Sequence, residues 1–103
     1  MNYKFRNEKS WVYILTNRNN TVLYTGVTSN LQKRIYEHKI KIYEGFAAKY
    51  NCDKLVYVQE FTEINQAIEY EKKIKGGNRA RKEKLINNQN PDWNDLSEDM
   101  ILG

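Results

Sequence analysis

The sequence predicts a small α/β domain in which a three-stranded, mainly antiparallel sheet is flanked by helices. Two short β-rich runs separated by polar residues near the N-terminus indicate a hairpin, and a third such run follows a helical segment. The length of 103 residues limits the chain to one domain with a modest core. The apolar faces of so small a sheet need helices to cover them.

The hairpin is predicted from the apolar run 11–15, the polar cluster 17–20 and the β-rich run 22–27. If the loop has four residues, counting outward places Tyr13 opposite Tyr24. Directly opposed residues lie on one face of a sheet, so two phenol hydroxyls are expected to converge there. Tyrosines are also common in strands for packing reasons, which is the structural alternative for this pair.

The remaining elements follow from periodicity and from capping residues. Ser29 or Asn30 is predicted to cap the first helix and Thr62 the second, while Gly76 and the glycine after it end the second. The predicted elements are a helix over roughly 29–42, a strand over 54–61 and helical segments over 64–75 and 79–87. The predicted organisation is an N-terminal arm over 1–10, a folded domain over 11–87 and a loosely held acidic tail over 88–103.

Charge and cysteine content narrow the function classes. Residues 1–91 contain 17 basic and 9 acidic side chains, a charge of +8, whereas the four acids after Pro91 make the tail acidic. A basic body favours a polyanionic partner such as nucleic acid. One cysteine and one histidine exclude an internal disulfide and a closed Cys/His zinc site within one chain. No signal-peptide pattern or membrane-length apolar run is present, so a cytoplasmic location is expected.

The densest basic stretch runs over residues 72–84 and contains a single acid, Glu83. It is either a solvated helix face or a surface that contacts phosphates, and the basic body favours the second reading. The residues predicted to bind nucleic acid are Lys33, Lys72, Lys73, Lys75, Arg79, Arg81 and Lys82.

Two predicted helices carry polar residues at informative positions. In the first helix Arg34 and His38, four residues apart, lie beside the apolar stripe, where such side chains catalyse, cap or extend to solvent. In the second helix Glu71 occupies a position at which the apolar periodicity predicts a hydrophobic residue, so its carboxylate is either buried there or exposed at the edge of the stripe. A buried carboxylate needs a partner, which could be a lysine or arginine, backbone amides or a divalent metal ion.

These residues together resemble a known family. Tyr13, the tripeptide 24–26 (Tyr-Thr-Gly), Arg34, His38 and Glu71 occur in the order and spacing of the GIY-YIG nuclease superfamily. The resemblance is to its small stand-alone bacterial members, the excinuclease-like or YhbQ-like proteins of UPF0213 type, and it covers most of the chain. The departures are Trp11 for the first glycine and Val12 and Thr25 for the two isoleucines, which are backbone and packing positions.

The resemblance implies the GIY-YIG endonuclease fold and a divalent-metal-dependent DNA endonuclease with a role in repair or recombination. It implies one Mg²⁺ or Mn²⁺ ion held by Glu71, a scissile phosphate clamped by Arg34, and Tyr13 as general base supported by Tyr24 and His38. His38 taking the proton in place of Tyr13 is the alternative. The alternative is a non-catalytic nucleic-acid-binding module of the same fold, for example in a repair complex. A basic scaffold that binds RNA or an acidic protein is the third hypothesis.

Overall fold

A computed structural model of the chain describes residues 9–41 and 45–98, which form three strands and four helices. In chain order the elements are β1 (Ser10–Thr16), β2 (Leu23–Thr28), α1 (Leu31–Lys39), α2 (Phe46–Lys49), β3 (Lys54–Phe61), α3 (Ile64–Lys75) and α4 (Arg79–Gln89). Within these ranges no helix is long and apolar enough to cross a membrane.

The three strands form one antiparallel sheet in the order β2-β1-β3, with β1 at the centre. Side chains of β1 alternate between two apolar clusters, so the strand is buried on both faces. Val12 and Ile14 pack with residues of α3 and α4, and Tyr13 and Leu15 pack with residues of α1 and α2. The predicted fold class, an antiparallel three-stranded sheet with helices against it, is confirmed.

The hairpin register differs from the predicted one. Thr16 pairs with Leu23, so the connection has six residues and every expected partner shifts by two. Tyr13 therefore lies opposite Gly26, and Tyr24 lies opposite Leu15. A shift of two preserves the face on which a side chain lies, and the two tyrosines remain neighbours on one face of the sheet.

Hydrogen bonds of the loop explain the longer connection. The side-chain carbonyl of Asn17 accepts the backbone N–H groups of Thr21 and Val22 at 2.8 and 3.1 Å, and the Thr16 hydroxyl donates to the Val22 carbonyl at 2.8 Å. These bonds hold Thr21 and Val22 in a turn instead of in the ladder.

The helices largely follow the predicted boundaries, with four differences. The Asn30 side chain caps α1, as predicted, but α1 ends at Lys39. Thr62 does not cap α3, because Glu63 is the N-cap residue and makes no side-chain capping bond. The short helix α2 has no counterpart among the predicted elements, and α4 continues to Gln89, two residues beyond its predicted end.

The segment after α4 is docked on the domain, which corrects the expectation of a loosely held tail for residues up to 98. The Leu96 N–H donates to the Leu55 carbonyl at 2.7 Å, and Asp95 Oδ1 accepts the Leu55 N–H at 3.2 Å. Asp95 Oδ2 also pairs with Lys39 Nζ at 2.6 Å, which ties the end of α1 to the start of β3. Residues 1–8, in the predicted arm, and 99–103, the end of the tail, lie outside the described residues.

Candidate active site

Gly26 allows the Tyr13 ring to lie across β2. A Cβ atom at Gly26 would lie 2.5 Å from Cζ and 2.5 Å from the hydroxyl oxygen of Tyr13, well inside van der Waals contact. The ring therefore occupies the volume that a side chain would take, at the edge strand of the sheet. Tyr13 is fully buried, so this close packing holds its hydroxyl in one place.

Tyr13, Tyr24 and His38 form an aromatic trio on the α1 side of the sheet. The ring centroids lie 6.4 Å apart for the two tyrosines, 6.0 Å for Tyr13 and His38, and 5.5 Å for Tyr24 and His38. The Tyr13 hydroxyl lies 3.3 Å from Nε2 of His38, a hydrogen bond whose direction depends on the imidazole tautomer. The three side chains thus lie close together, as the sequence predicted, although the two tyrosines do so in a hairpin register shifted by two residues.

His38 is more buried than a position beside the apolar stripe suggested, with 7% of its surface exposed. Burial lowers the pKa of His38 below its ordinary value, the positive charge of Arg34 lowers it further, and the carboxylate of Glu37 opposes both. Arg34 Nε lies 3.8 Å from Glu37 Oε1. The lowered pKa favours the neutral imidazole near pH 7, and in the tautomer protonated at Nδ1 its Nε2 accepts the hydrogen bond of the Tyr13 hydroxyl.

Glu71 is buried on α3, with 9% of its surface exposed, which decides between burial and exposure at the edge of the apolar stripe. Ala67 and Ile74, one turn before and after it, are buried in the apolar cluster between the sheet and helices α3 and α4. Ile64, at the start of the stripe, is 43% exposed. The sequence left a basic side chain, backbone amides or a metal ion as partners of the Glu71 carboxylate. Among the described residues a lysine fills this role, since Lys75 Nζ lies 3.4 Å from Glu71 Oε2. Because the side chain of Lys75 is 63% exposed, this ion pair contributes little stability.

Glu71 and the aromatic trio are on opposite sides of the sheet. Glu71 is on α3, which packs against one face, whereas the trio lies on the face covered by α1. The α3 helix packs against all three strands, including the edge strand β2 over which the Tyr13 hydroxyl lies. A site that used both groups would have to span this β2 edge. Among the described residues no group of three or more His, Cys, Asp or Glu side chains could hold a metal ion. A metal at Glu71 would thus have fewer than three such ligands from the described residues and would complete its shell with water and substrate, which suits Mg²⁺.

An exposed aromatic row extends from the trio to the surface and was missed by sequence reasoning. The Tyr24 ring stacks near Phe46 of α2 with centroids 6.4 Å apart and an interplanar angle of 24°, and Phe46 lies 4.8 Å from Tyr50. Phe46 and Tyr50 are 51% and 41% exposed, and Lys49 Nζ lies 5.4 Å from the Tyr50 ring centroid. The signal in the sequence was two aromatic residues four apart with a lysine between them, in a region to which no element was assigned.

The predicted nucleic-acid-binding residues divide between two sides of the molecule. Lys33 is exposed on α1, on the side of the aromatic trio. The others lie on α3 and α4, where all except the half-buried Lys82 are exposed; they are Lys72, Lys73, Lys75, Arg79, Arg81 and Lys82. The structure therefore does not bring all seven residues onto one face.

Arg79 has a structural role that its sequence context did not reveal. Its guanidinium donates to the backbone carbonyls of Asn20 and Thr21 in the hairpin loop at 2.6 and 2.9 Å. It also pairs with Glu83 at 2.7 Å, one turn along α4. These bonds fasten the start of α4 to the β1–β2 loop and occupy donors that a phosphate would otherwise use.

Comparison with known protein families agrees with this geometry. The profile of the GIY-YIG catalytic domain matches residues 9–85, which include the trio, Arg34 and Glu71. The chain belongs to the GIY-YIG family. This GIY-YIG protein therefore contains a domain of nuclease type, and the sequence resemblance to the family is confirmed.

Its relatives include several UPF0213 proteins. One from Natronomonas pharaonis is 36% identical over 80 residues, which are 74% of this chain and 88% of the relative. One from Syntrophus aciditrophicus is 39% identical over 88 residues, 82% of this chain and 95% of the relative. The solution NMR structure of a UPF0213 protein from Bacillus halodurans shares the fold, with a TM-score of 0.55 and 23% identity over 87% of this chain and 95% of that one.

Proposed function

We propose that this GIY-YIG protein is a divalent-metal-dependent endonuclease that hydrolyses phosphodiester bonds in DNA. The observation that carries the proposal is the hydrogen bond between the hydroxyl of Tyr13 and Nε2 of His38, two buried members of the aromatic trio. Arg34 lies one helical turn before His38, so a cation accompanies a group that can move protons. The match to the GIY-YIG catalytic domain covers these residues, which supports the proposal.

The trio can manage the proton of an attacking water. A tyrosine is a poor base near neutral pH unless a neighbour takes its proton, since the phenol pKa is ordinarily about 10. Burial and Arg34 lower the pKa of His38, so its imidazole is neutral and available as that neighbour. In the proposed mechanism Tyr13 accepts the proton of the water as its own proton passes to His38, and Tyr24 orients the water or the phosphate.

Arg34 is proposed to clamp the scissile phosphate. Its side chain is 35% exposed, so a phosphate in solvent can reach the guanidinium. The 3.8 Å separation from Glu37 marks a weak ion pair, which a phosphate offering two oxygens to the planar guanidinium would outcompete.

Glu71 is proposed to hold one Mg²⁺ or Mn²⁺ ion, whose charge would stabilise the negative charge that develops on the phosphate. The carboxylate is suited to this because it is nearly buried yet paired only weakly with an exposed lysine. The basic body and the exposed rings of Phe46 and Tyr50 support nucleic acid over an acidic protein as the substrate, because bases stack on such rings.

The proposal is tested by cleavage of labelled single-stranded, duplex, flap and branched DNA with Mg²⁺ or Mn²⁺. Flap and branched substrates are included because structure-specific cleavage in repair or recombination is the predicted role. Glu71→Gln is expected to abolish cleavage. The matched control is Glu69→Gln, since Glu69 lies on the same helix but is exposed, and this variant should cut like the wild type.

Two results would contradict the proposal. Cleavage that persists in Glu71→Gln at wild-type rate would remove this carboxylate from the chemistry. DNA that is bound equally by wild type and variant but never cut would instead identify a nucleic-acid-binding module.

The roles of Tyr13 and His38 are separated by a second pair of variants. Tyr13→Phe is expected to lower the rate constant of cleavage by at least about 10²-fold, which is typical for loss of a general base, with little change in DNA affinity. His38→Gln is expected to be less damaging and to shift the pH profile. If Tyr13→Phe cuts normally while His38→Gln is inactive, the assignments are exchanged.

A further inference from the structure

A cavity of about 420 Å³ lies between α3 and α4, on the face of the sheet opposite the aromatic trio. Four cationic side chains surround it: Lys73 from α3, and Arg81, Lys82 and Lys84 from α4. Ile74 and Leu85 form an apolar floor. We call this cavity the α3–α4 groove, and its volume falls within the range of ordinary ligand sites.

The positive charge of the groove is uncompensated within the described part of the chain. No acidic residue lines it, and none of its four cationic side chains forms an ion pair with a described residue. The nearby acids are engaged elsewhere, since Glu71 pairs with Lys75 and Glu83 pairs with Arg79. Like charges around one concave surface repel, and a multivalent anion bound there would relieve that repulsion.

The groove also offers contacts that a simple anion would not use. The half-buried Tyr70 ring is held by a 2.8 Å hydrogen bond to the hydroxyl of Tyr57 and by packing against Phe61, with centroids 5.2 Å apart. Asn88 adds an amide with both donors and an acceptor at the wall. A positioned aromatic ring, an apolar floor and an amide suit a ligand with a planar polar body.

We propose that the α3–α4 groove binds a nucleoside phosphate, either as a free nucleotide or as a phosphorylated nucleotide of a nucleic-acid strand. The cationic side chains would contact the phosphate, with Arg81 able to present two donors, while Tyr70 and the apolar floor would cover the base or sugar. The strand-bound form rests on the proposed nuclease function. The free-nucleotide form is independent of it, because the groove lies on the other face from the trio.

The test is an NMR titration of the ¹⁵N-labelled full chain with dAMP and, separately, with inorganic phosphate. Saturable shifts on α3 and α4 are expected for dAMP, with an affinity higher than that for phosphate. Arg81→Gln should weaken dAMP binding about tenfold, the loss expected for a charge-assisted hydrogen bond. Lys49→Gln, which removes an exposed lysine on the α2 side, should leave it within about twofold.

Three results would overturn the inference: no dAMP shifts on α3 or α4, equal affinity for dAMP and phosphate, or equal weakening by Arg81→Gln and Lys49→Gln. Titration of a short oligonucleotide, with and without a 5′-phosphate, distinguishes a free nucleotide from a nucleotide of a nucleic-acid strand as the ligand. Tighter binding of the phosphorylated strand than of dAMP identifies a strand, and the reverse order identifies a free nucleotide.

The titration and the cleavage assay with Glu71→Gln together separate this inference from the proposed nuclease function. If dAMP binds to the α3–α4 groove and no DNA is cut, the nucleotide site is supported and the nuclease function is contradicted. If DNA is cut in a manner that requires Glu71 and dAMP does not bind, the nuclease function is supported and the nucleotide site is contradicted.

Discussion

Gly26→Ala is expected to destabilise the protein, although the same change in an ordinary strand would stabilise it. Gly26 does not have a positive φ, so its backbone accepts an L-residue, and replacing a strand glycine by alanine is ordinarily favourable by about 0.5–1 kcal/mol. Here the new methyl would lie 2.5 Å from two atoms of the Tyr13 ring, where ordinary contacts are 3.4–4 Å. The ring is fully buried and must move by about 1 Å.

The magnitude follows from these two opposed effects. Overpacking in a well-packed core costs about 1–3 kcal/mol, so the net loss of unfolding free energy is about 1–2 kcal/mol. For a domain near this size each kcal/mol lowers the melting temperature by about 4–8 °C. Displacement of the ring also lengthens the 3.3 Å contact between the Tyr13 hydroxyl and His38, so DNA cleavage should fall along with stability.

The assay is thermal and urea unfolding of a double-mutant cycle with Tyr13→Leu. Leucine lacks the atoms that the methyl would meet, so in that background Gly26→Ala should be neutral or stabilising. A higher melting temperature for the single variant Gly26→Ala would refute the reasoning. So would an equal loss of stability in both backgrounds, since the damage would then not come from contact with the Tyr13 ring.

Further predictions concern three polar groups, of which the hydroxyl of Thr25 and the imidazole of His38 are buried and the carboxylate of Asp95 is half-buried. The hydroxyl of Thr25 is buried without a hydrogen-bond partner among the described residues, so the isosteric change Thr25→Val should raise the unfolding free energy by about 1 kcal/mol, and a loss on thermal melting would contradict this. Asp95→Asn removes the acceptor of Lys39 but keeps the oxygen that accepts from Leu55 and Ser97, so urea unfolding should show a loss of about 1.5–3 kcal/mol; an unchanged midpoint would exclude the proposed tie between α1 and β3. Burial tends to raise the pKa of Asp95, but hydrogen bonds from Lys39, Ser97 and Leu55 lower it overall. The carboxylate therefore stabilises the fold above the unfolded carboxyl pKa, and this contribution to the unfolding free energy is lost as pH falls through the lower folded pKa. The corresponding fall in unfolding free energy at acidic pH should be absent in Asp95→Asn. The pKa of His38 is lowered in the fold, so unfolding free energy should decrease as pH falls below about 6.5; because His38 is the one histidine of the chain, NMR titration of its ring reads this directly, and a pKa above 6.5 would contradict it.

The sequence predicted the elements well where the signal was local. The boundaries of β3 and α3 agree with the structure, and so does the cap at Asn30, because alternation, helical periodicity and capping chemistry involve neighbours in the chain. The unusual position of Glu71 was visible for the same reason, as one residue breaks an otherwise apolar stripe, but its burial was decided only by the packing of α3. The short α2 was not predictable, because four residues cannot display a helical period.

Family membership and the residues to examine could therefore be predicted from the sequence by itself, since both depend on the order and spacing of side chains along one chain. The tertiary structure decided the hairpin register, the contact of Tyr13 with Gly26 and the burial of His38. Each of these depends on groups distant in sequence or on side-chain bonds within a loop: Asn17 extends the turn by two residues, and the ring of Tyr13 fills the volume left by Gly26. The tertiary structure also divided the predicted nucleic-acid-binding residues between two faces of the molecule, because the sheet lies between α1 and the pair of helices α3 and α4. Periodicity shows which side of an element faces the core, but only packing shows which elements share a face.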